Sequence, residues 1–556
     1  MNMAHHPGTD AANTRTGAQV LIDTLIEAGS NLAFCVPGES YLAALDAMHD
    51  VQDKFRMIVC RHEASATNMA EATGKLTGRP GICFVTRGPG SSHASIGIHT
   101  AQQDSTPLIV FVGQVSIGDL GREAFQEVDY VQMYGKFAKW AVQIDDAARI
   151  PEIVSHAFHV AVNGRPGPVV IAIPEDVLKH ACPNPPAPRY TRAVAAPSRA
   201  AVAELESLIA ASERPLLILG GGGWNADAVK QMQVFAEKHH LPATVGFRCQ
   251  DLFDNTHPNY VGDLGLGIDA ALAEMVKSSD LLIAVGERLG DASTKGYTLL
   301  DIPSPAQKLV HVHPSPEELG MVYRADMAIA ATVADFAEAV ADIKPGPKTR
   351  EKWIAEGRAA YDRKITPKPT GLPLDVAQVV KYLRETLPDN AIIANGAGTY
   401  TGYVHRYYTF RSFKTQLAPT SGAMGYGFPA AIGAKLVHPD RPVVCFAGDG
   451  CFLMASQELA TAIRYDLPVI VVLVNNSSYG SIRMHQEREY PGRTFATNLN
   501  NPDFVALAKA YGAYAELVDK TEDFAAAFER ATASGKPALL ELQIDIEVMV
   551  KANPRK

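Results

Sequence analysis

The chain has 556 residues, enough for three or four domains of ordinary size. Its composition, 47% hydrophobic and 20% charged with 44 Gly and 36 Pro, excludes a disordered, collagen-like or disulfide-stapled protein. The net charge is −9, from 51 Lys and Arg against 60 Asp and Glu, and no basic cluster favours binding to nucleic acid or to an anionic membrane.

Cysteine usage and apolar runs predict the cellular location. The seven cysteines form no CxxC pair and several lie inside apolar runs, which is typical of a reducing compartment. Residues 1–19 lack the apolar segment of a secretory signal, and no apolar run approaches the ~20 residues that span a bilayer. We therefore expect a cytoplasmic protein.

Two proline-rich segments divide the chain. Residues 183–199 are rich in Pro and Ala and cannot sustain a helix or a strand ladder, and residues 344–373 carry five prolines and a charged middle. Both are predicted to be linkers. The predicted domains cover residues 1–184, 198–345 and 372–556.

Short apolar runs alternate with helical patterns in each domain. In chain order the runs are FRMIVC (55–60), GICFVT (81–86), PLIVFVG (107–113), PVVIAIP (168–174), PLLILGGGG (215–223), DLLIAVGERL (280–289), AIIANGAG (391–398), PVVCFAGDG (442–450), PVIVVLVNN (468–476) and PALLELQI (537–544). Nearly continuous apolar runs bounded by Gly or Pro are typical of strands buried on both faces. The predicted fold is three consecutive α/β domains with parallel sheets.

The most informative motif spans residues 442–476: a strand, a glycine-flanked Asp449, a helix, a second strand and an Asn pair ending at Asn476. Both strands of a right-handed βαβ unit end at the same edge of the sheet, so Asp449 and Asn476 can meet there. A carboxylate and an amide oxygen suit Mg²⁺, and the flanking glycines let a phosphate approach the backbone. Taken alone, the motif also fits a tight turn in which Asp449 caps a helix.

With its spacing and the NNSSYG sequence that follows, this unit resembles the thiamine-diphosphate-dependent decarboxylase and carboligase superfamily. The resemblance covers nearly the whole chain and implies pyrimidine-binding, middle and diphosphate-binding domains in that order. It implies that Asp449, Asn476 and the Ser478 carbonyl bind the Mg²⁺ that holds the cofactor diphosphate. Further cofactor contacts are implied for Pro37, Gly398, Thr399, Tyr400, Gly422, Met424, Gly448, Gly450, Cys451, Tyr479 and Gly480.

Thiamine diphosphate also requires an acid in the first domain. A carboxylic acid at the cofactor's N1′ lets its own 4′-amino group remove the thiazolium C2 proton. Glu63 follows an apolar strand and opens a small-residue helix, which is where the superfamily has this acid. Taken alone, a glutamate in the first turn of a helix is more often a complement to the helix dipole. Contacts from the first and third domains come from different subunits in the superfamily, so a homodimer or homotetramer with active sites at its interfaces is implied.

Residues 122–144 resemble the substrate-channel segment of the acetolactate (acetohydroxyacid) synthase large-subunit group. The resemblance implies that Phe125, Gln126 and Lys139 lie over the reacting carbon. Lys139 could steer the carboxylate of a 2-keto acid, or could simply lie on a solvated face. In the same way, Met424 would prop the bent cofactor, although a core methionine is the alternative.

The chain departs from this group at three positions. His485 stands where the synthases commonly have a tryptophan that selects the larger acceptor, Arg87 stands where a small residue is usual, and Glu39 replaces a small or neutral one. These changes put branched-chain synthesis in doubt. The two charges point to a more polar or acidic substrate than pyruvate, unless each lies in an interfacial ion pair.

The middle domain carries two incomplete nucleotide motifs. Residues 220–229 begin like a dinucleotide glycine motif but have Asn225 at the third glycine position, so nicotinamide binding is only weakly indicated. Residues 286–296 resemble the strand end of the synthases' flavin domain but lack its Asp-Asp-Arg continuation. FAD binding remains open, and a bound FAD would be structural because decarboxylation and ligation need no redox step.

We therefore predict an enzyme that decarboxylates a small 2-keto acid and joins the resulting enamine to a second carbonyl. Glu63 would activate the cofactor, while Gln126, Lys139, His485 and Arg87 would orient substrates and move protons. Other possible functions are a non-oxidative decarboxylase, another thiamine-diphosphate lyase or acyltransferase, and a non-catalytic cofactor-binding regulatory subunit. An NAD-dependent oxidoreductase would bind nicotinamide through residues 220–229.

Overall fold

The structure, a computed structural model, describes residues 15–368 and 370–547. The predicted outer domain limits at residues 1 and 556 and most of the segment predicted to lack a secretory signal lie outside these residues. Three six-stranded parallel sheets follow one another along the chain, with helices between the strands. The predicted α/β fold class is confirmed.

The first sheet has the strand order β2-β1-β3-β4-β6-β5. Its strands are β1 (Leu32–Cys35), β2 (Arg56–Val59), β3 (Gly81–Val85), β4 (Leu108–Gln114), β5 (Trp140–Gln143) and β6 (Pro168–Pro174). Its helices are α1 (Gly17–Glu27), α2 (Leu42–His49), α3 (Glu63–Thr77), α4 (Pro89–Asp104), α5 (Tyr130–Tyr134), α6 (Ile150–Val162) and α7 (Glu175–Lys179). Every residue of β3, β4 and β6 is buried, as their apolar runs predict.

The second sheet has the order β12-β11-β10-β7-β8-β9. Its strands are β7 (Pro215–Leu219), β8 (Ala243–Val245), β9 (Tyr260–Asp263), β10 (Leu281–Val285), β11 (Lys308–His313) and β12 (Met327–Ala330). Its helices are α8 (Arg199–Ala211), α9 (Ala226–Lys238), α10 (Ala270–Ser278), α11 (Val333–Ala339) and α12 (Glu351–Lys364). The order radiates in both directions from β7 and β10, which is the doubly wound arrangement of dinucleotide-binding domains.

The third sheet has the order β14-β13-β15-β16-β18-β17, which repeats the topology of the first. Its strands are β13 (Ile392–Asn395), β14 (Gln416–Leu417), β15 (Val443–Gly448), β16 (Ile470–Asn475), β17 (Tyr514–Val518) and β18 (Ala538–Gln543). Its helices are α13 (Val376–Thr386), α14 (Thr401–Tyr407), α15 (Gly427–Val437), α16 (Asp449–Leu453), α17 (Leu459–Arg464), α18 (Gly480–Glu489), α19 (Phe504–Ala510) and α20 (Phe524–Ala533).

The second predicted linker differs from what its prolines suggest. Residues 183–197 contain no regular helix or strand, but α12 occupies the middle of the 344–373 segment. Tyr361 in α12 is buried in the core of the second sheet, and Trp353 donates its indole N–H to the Pro215 carbonyl at 2.9 Å. The charged middle is therefore the outer face of a docked helix, and only its proline-rich ends connect domains.

The first and third sheets pack on each other through α3 and α15, whose contact is so close that a Cβ on Gly433 would lie 2.8 Å from the Met69 carbonyl oxygen. Tyr426 donates its hydroxyl to the buried Glu71 carboxylate at 2.5 Å across this contact. In the described part of the chain no helix combines the length and apolar character needed to cross a bilayer.

Candidate active site

The third sheet forms a cavity of about 230 Å³ at its carboxyl edge. The chain reverses direction between β13 and β15, and the loops after β13, β15 and β16 meet there. In open α/β sheets such a reversal point is where ligands bind. All thirteen residues of the third domain that the resemblance assigns to the cofactor line this cavity: Gly398, Thr399, Tyr400, Gly422, Met424, Gly448, Asp449, Gly450, Cys451, Asn476, Ser478, Tyr479 and Gly480.

Asp449 is a buried carboxylate at the start of α16, and only 3% of the residue is exposed. It accepts hydrogen bonds from the Gly450 backbone N–H at 2.9 Å and from the Asn501 amide at 2.8 Å. Within the described residues no basic side chain forms an ion pair with it. Burial raises the pKa of Asp449, and these hydrogen bonds oppose the shift. A carboxylate in this setting is suited to bind a cation.

The loop after β16 holds Asn476 and Ser478 on the other side of the cavity. The Asn476 side-chain oxygen accepts the Ser478 backbone N–H at 3.1 Å, while Ser478 donates its hydroxyl to the Thr497 carbonyl at 2.9 Å. A bridge between Ser478 and Asn498 ties the loop to the segment before α19. The loop is thus supported from outside the cavity, and its oxygens and those of Asp449 line the same space.

Asn501 is a site residue that the sequence did not reveal. Its amide donates to the Asp449 carboxylate at 2.8 Å and to the Asn475 side-chain oxygen at 2.9 Å, and Asn475 in turn donates to Glu541 at 2.7 Å. The Asn501 carbonyl oxygen is buried without a hydrogen-bond partner. Its only sequence signal is an Asn two residues before Asp503, the residue that caps α19, which is an ordinary loop pattern.

Glycines keep the cavity open to a ligand. A Cβ on Gly450 would lie 2.8 Å from the Tyr479 ring, and one on Gly448 would lie 3.0 Å from the Tyr400 ring. The Tyr400 hydroxyl donates to the Cys451 sulfur at 3.4 Å, which fixes the aromatic wall. Larger residues at these glycines would push the aromatic rings into the space that a diphosphate needs.

Glu63 lies at the equivalent edge of the first sheet. It begins α3, whose N-cap His62 accepts the Ala64 backbone N–H at 3.1 Å. Glu63 is buried, and one carboxylate oxygen lies 2.9 Å from Nδ1 of His93, a residue with no predicted role. The His62 and His93 rings stack at 4.6 Å, and burial together with His93 lowers the pKa of His62.

Gln126 and Arg87 share this edge of the first sheet. Gln126 adopts a positive φ of 66° and packs against Gly88, while a Cβ on Gly90 would lie 3.4 Å from the Glu63 carboxylate. Arg87 points to Glu175 at 3.9 Å, a long ion pair, and its buried Nε has no hydrogen-bond partner.

The remaining first-sheet positions are exposed. Phe125 is 77% exposed beside Gln126, and Pro37 and Glu39 lie in the exposed loop after β1. Within one chain, these side chains are open to solvent or to a second subunit.

Lys139 does not join this group within one chain, and its expected place over the reacting carbon with Gln126 stays a prediction. It precedes β5 and therefore lies at the amino edge of a fully parallel sheet, whereas Glu63 and Gln126 lie at the carboxyl edge. Its ammonium donates to the carbonyl oxygens of Val160 (2.6 Å) and Asn163. Burial lowers the pKa of Lys139 to about 8. Within one chain the ammonium is thus bound to backbone carbonyls rather than free on a solvated face.

His485 lies in α18, next to the third-sheet cavity but outside its lining. It is exposed, and its Nδ1 lies 2.8 Å from Nη2 of Arg488 one helical turn later. Glu63 does not line the third-sheet cavity either. One chain therefore presents two separate half-sites, the Glu63 edge and the Asp449 cavity.

The reversal point of the middle sheet, between β7 and β10, is filled by protein. The buried Glu287 side chain covers the end of β7, so that a Cβ on Gly220 would lie 1.9 Å from its carboxylate oxygen. Trp224 donates its indole N–H to the Gly220 carbonyl at 2.8 Å, and a Cβ on Gly221 would lie 2.1 Å from the Gly286 carbonyl oxygen. The two glycine loops that would cradle a pyrophosphate are packed against each other.

Comparisons with known proteins agree with this arrangement. Residues 15–133, 202–340 and 396–542 match the N-terminal TPP binding, central and C-terminal TPP binding domains of thiamine pyrophosphate enzymes, respectively. The chain belongs to the thiamine pyrophosphate enzyme family. It is therefore a thiamine-diphosphate-dependent enzyme, and the predicted superfamily is confirmed.

Relatives are similar over nearly their full length. The chain is 34% identical to the acetolactate synthase large subunit of Parasynechococcus marenigrum, with 96% of this chain and 88% of the relative covered. It is 32% identical to the acetolactate synthase isozyme 1 large subunit of Escherichia coli, with 98% and 96% covered. It is also 32% identical to a probable acetolactate synthase large subunit of Methanocaldococcus jannaschii, with 95% and 92% covered. The domain limits at 184, 198, 345 and 372 stay predictions.

Proposed function

We propose that this enzyme decarboxylates a small 2-keto acid and joins the remaining acyl unit to a second carbonyl compound, as the names of its acetolactate synthase relatives suggest. The observation that carries the proposal is the Asp449 cavity, because its lining coincides with the cofactor contacts implied by the family resemblance. Similarity to acetolactate synthases over nearly the whole chain supports ligation rather than decarboxylation alone.

We propose that Asp449, Asn476 and the Ser478 carbonyl hold Mg²⁺, which in turn holds the cofactor diphosphate. A buried carboxylate without a basic partner, beside amide and carbonyl oxygens, is the donor set that Mg²⁺ prefers. The Ser478 carbonyl accepts the Gly480 N–H at 2.8 Å and keeps a second lone pair for a metal. Mg²⁺ binding is tested by titrating the cofactor complex with Mg²⁺. Asp449→Asn should abolish this binding.

Glu63 is proposed to hold the proton at the cofactor's N1′. Bound thiamine diphosphate would supply the electron sink for decarboxylation. His93 would fix the orientation of the Glu63 carboxylate through its 2.9 Å contact. Gln126, Phe125 and Arg87 would line the substrate side of the same edge, and His485 would approach from α18. Lys139 would contribute only through a neighbouring subunit.

The two half-sites are proposed to meet between subunits of a homodimer or homotetramer. The experiment mixes two inactive variants, Glu63→Gln and Asp449→Asn, after dissociation and reassociation. If each site combines Glu63 of one subunit with Asp449 of another, random dimers regain about a quarter of wild-type turnover, because half are mixed and each mixed dimer has one intact site. No regained turnover in demonstrably mixed dimers would place both half-sites within one chain.

We propose that the middle sheet holds no FAD. Glu287 would place a carboxylate against the pyrophosphate, and the packed loops at Gly220 and Gly221 leave no cradle. Purified protein incubated with excess FAD and then desalted should lack flavin absorbance. A stoichiometric visible band would overturn this part of the proposal.

The decisive assay of the reaction is proton NMR of the protein with thiamine diphosphate, Mg²⁺ and pyruvate, beside a cofactor-free control. Acetolactate formed only with cofactor supports the proposal. Acetaldehyde would favour the second candidate, a non-oxidative decarboxylase, which His485 in place of the usual tryptophan leaves open. Unchanged pyruvate would exclude pyruvate as donor and direct the assay to acidic or bulkier keto acids.

Two further points complete the proposal. Intact Glu63, Asp449 and Asn476 argue against a non-catalytic regulatory subunit, and Glu63→Gln should lose turnover while retaining cofactor. A cytoplasmic location is proposed from the seven unpaired cysteines.

A further inference from the structure

A second cavity, of about 90 Å³, lies where the three sheets meet. Its wall combines the glycine loop 221–223 after β7, the end of α4, residues 248–252 after β8 and residues 413–416 before β14. It shares no lining residue with the Asp449 cavity. A cavity of this size has room for a small ion.

Arg248 is the most unusual group in this wall. It is 7% exposed, it has a strained positive φ of 59°, and its guanidinium makes one hydrogen bond, from Nη1 to the Pro419 carbonyl. Its buried Nε has no partner, and no described carboxylate lies within 4 Å of it. A guanidinium has five N–H donors, and a buried charge without an opposite charge is costly.

Two more cations face the same space. Nη2 of Arg192 and Nζ of Lys414 lie 3.5 and 3.7 Å from the point where a Cβ on Gly78 would be, so the two charges are close neighbours. The Lys414 ammonium forms no hydrogen bond or ion pair with the described residues and lies over the Phe413 ring at 5.4 Å. Burial lowers the pKa of Lys414 to about 8, Asp251 opposes the shift, and Arg192 adds to it.

The two carboxylates of the wall are already satisfied by protein donors. Asp104 accepts the Lys75 ammonium and the Thr420 backbone N–H, the latter at 2.7 Å. Asp251 accepts the backbone N–H of Gln416 at 3.2 Å. Arg192, Arg248 and Lys414 therefore leave an excess of positive charge around this cavity, where Arg248 is buried, Lys414 half-buried and Arg192 exposed.

We propose that this space, the Arg248 cavity, binds a small phosphate-sized oxyanion. An anion there accepts the unused Arg248 donors, pairs with Lys414 and lies against the bare backbone of the glycine loop. Because its ligands come from the second and third domains, the anion ties these two domains together and stabilises their arrangement. The source is either free phosphate or the phosphate group of a small phosphomonoester.

The test is isothermal titration of the holoenzyme, saturated with thiamine diphosphate and Mg²⁺ so that the diphosphate site is filled. Inorganic phosphate and glycerol 3-phosphate are the two probes, at pH 8.5 and equal ionic strength. We expect one site per chain, with at least tenfold weaker binding in Lys414→Gln and Arg248→Gln. Lys435→Gln is the control, since Lys435 is a buried lysine of α15 outside the cavity.

Proton uptake gives a second readout. Bound phosphate should favour the protonated form of Lys414, so binding takes up protons. Titrations in buffers of different ionisation heat should show this proton uptake in the wild type and less of it in Lys414→Gln. Tighter binding of glycerol 3-phosphate identifies a phosphomonoester as the source, and equal or weaker binding identifies free phosphate. The proposal is overturned if neither probe binds wild type, or if Lys414→Gln binds as tightly as Lys435→Gln. Lys414→Gln carries the test if Arg248→Gln does not fold.

Discussion

Asn501 is the residue whose removal probes the Asp449 cavity most directly. Its amide joins two members of the cavity wall, the Asp449 carboxylate at 2.8 Å and the Asn475 side-chain oxygen at 2.9 Å. Asn501→Ala removes both contacts without replacing a proposed metal ligand. The Asp449 carboxylate would then keep its bond from the Gly450 N–H but lose its side-chain partner, and it would rotate more freely.

The size of the effect follows from the charge on Asp449. A hydrogen bond to a charged group contributes about 1.5–3 kcal/mol, and loss of a partner that orients a metal ligand lowers metal affinity by about 10–100-fold. We expect Asn501→Ala to raise the Mg²⁺ and thiamine diphosphate concentrations needed for half-maximal activity by about that factor. Turnover at saturation should change little, because Asn501 touches no reacting group.

The assay is turnover measured across cofactor and Mg²⁺ concentrations, with cofactor binding followed in parallel by fluorescence or circular dichroism. Asn500→Ala is the matched control, because Asn500 is the exposed neighbour in the same loop and makes no side-chain hydrogen bond in the described structure. Wild-type cofactor dependence in Asn501→Ala would refute the view that Asp449 is held for a metal.

Three other perturbations test separate contacts. Gly480→Ala should weaken cofactor binding about tenfold or more, because the new Cβ would lie 2.9 Å from the Asn476 amide nitrogen. Gly402→Ala is the control in the same cofactor titration, because Gly402 has open space around it. His93→Ala should slow turnover about tenfold and leave cofactor affinity unchanged, because the Glu63 carboxylate loses the contact that orients it. If His93→Asn restores turnover, the role of His93 is to orient Glu63. Burial lowers the pKa of Lys139 from 10.5 to about 8, so between these pH values the unfolded chain binds more protons than the folded one and stability rises with pH. Relative to Lys139→Met, the wild-type free energy of unfolding measured in urea titrations should rise by about 1–3 kcal/mol between pH 8 and 10. Parallel pH curves for the two proteins would exclude the pKa shift.

The sheets were predictable from the sequence where burial leaves a continuous apolar run, as in β4, β6 and β16. The apolar runs miss five of the six edge strands, β5, β9, β12, β14 and β17. β12 alternates buried and exposed residues, and β14 has two residues, so neither forms an apolar run. The sequence did not predict α12 because its charged outer face and flanking prolines are typical of a linker. Few of its residues are buried, so no apolar pattern indicates a helix.

The candidate site divides in the same way. Asp449 and Asn476 follow buried strands directly, so the parallel topology alone brings them to one edge. The position of Lys139 depends on where the short strand β5 begins, and a shift of a few residues moves it between the two edges of the sheet. His93 and Asn501 are defined by contacts between loops distant in sequence, and no local pattern reports such contacts.

Helix α3 spans the contact between the first and third sheets. Glu63 begins this helix, which is 15 residues or about 22 Å long. Lys75, near its far end, contacts the Ala418 carbonyl in the segment that leads into the Asp449 cavity.

Glu63 and the Asp449 cavity thus belong to different sheets, the first and the third. Each half-site also exposes large apolar side chains, Phe125 at 77% beside the Glu63 edge and Ile482 at 55% in the cavity wall. Apolar surface of this kind beside polar catalytic groups favours cover by another protein surface. In the proposed dimer, a second copy would supply that cover and the other half-site together, because the first and third sheets share one topology and present their loops at equivalent edges.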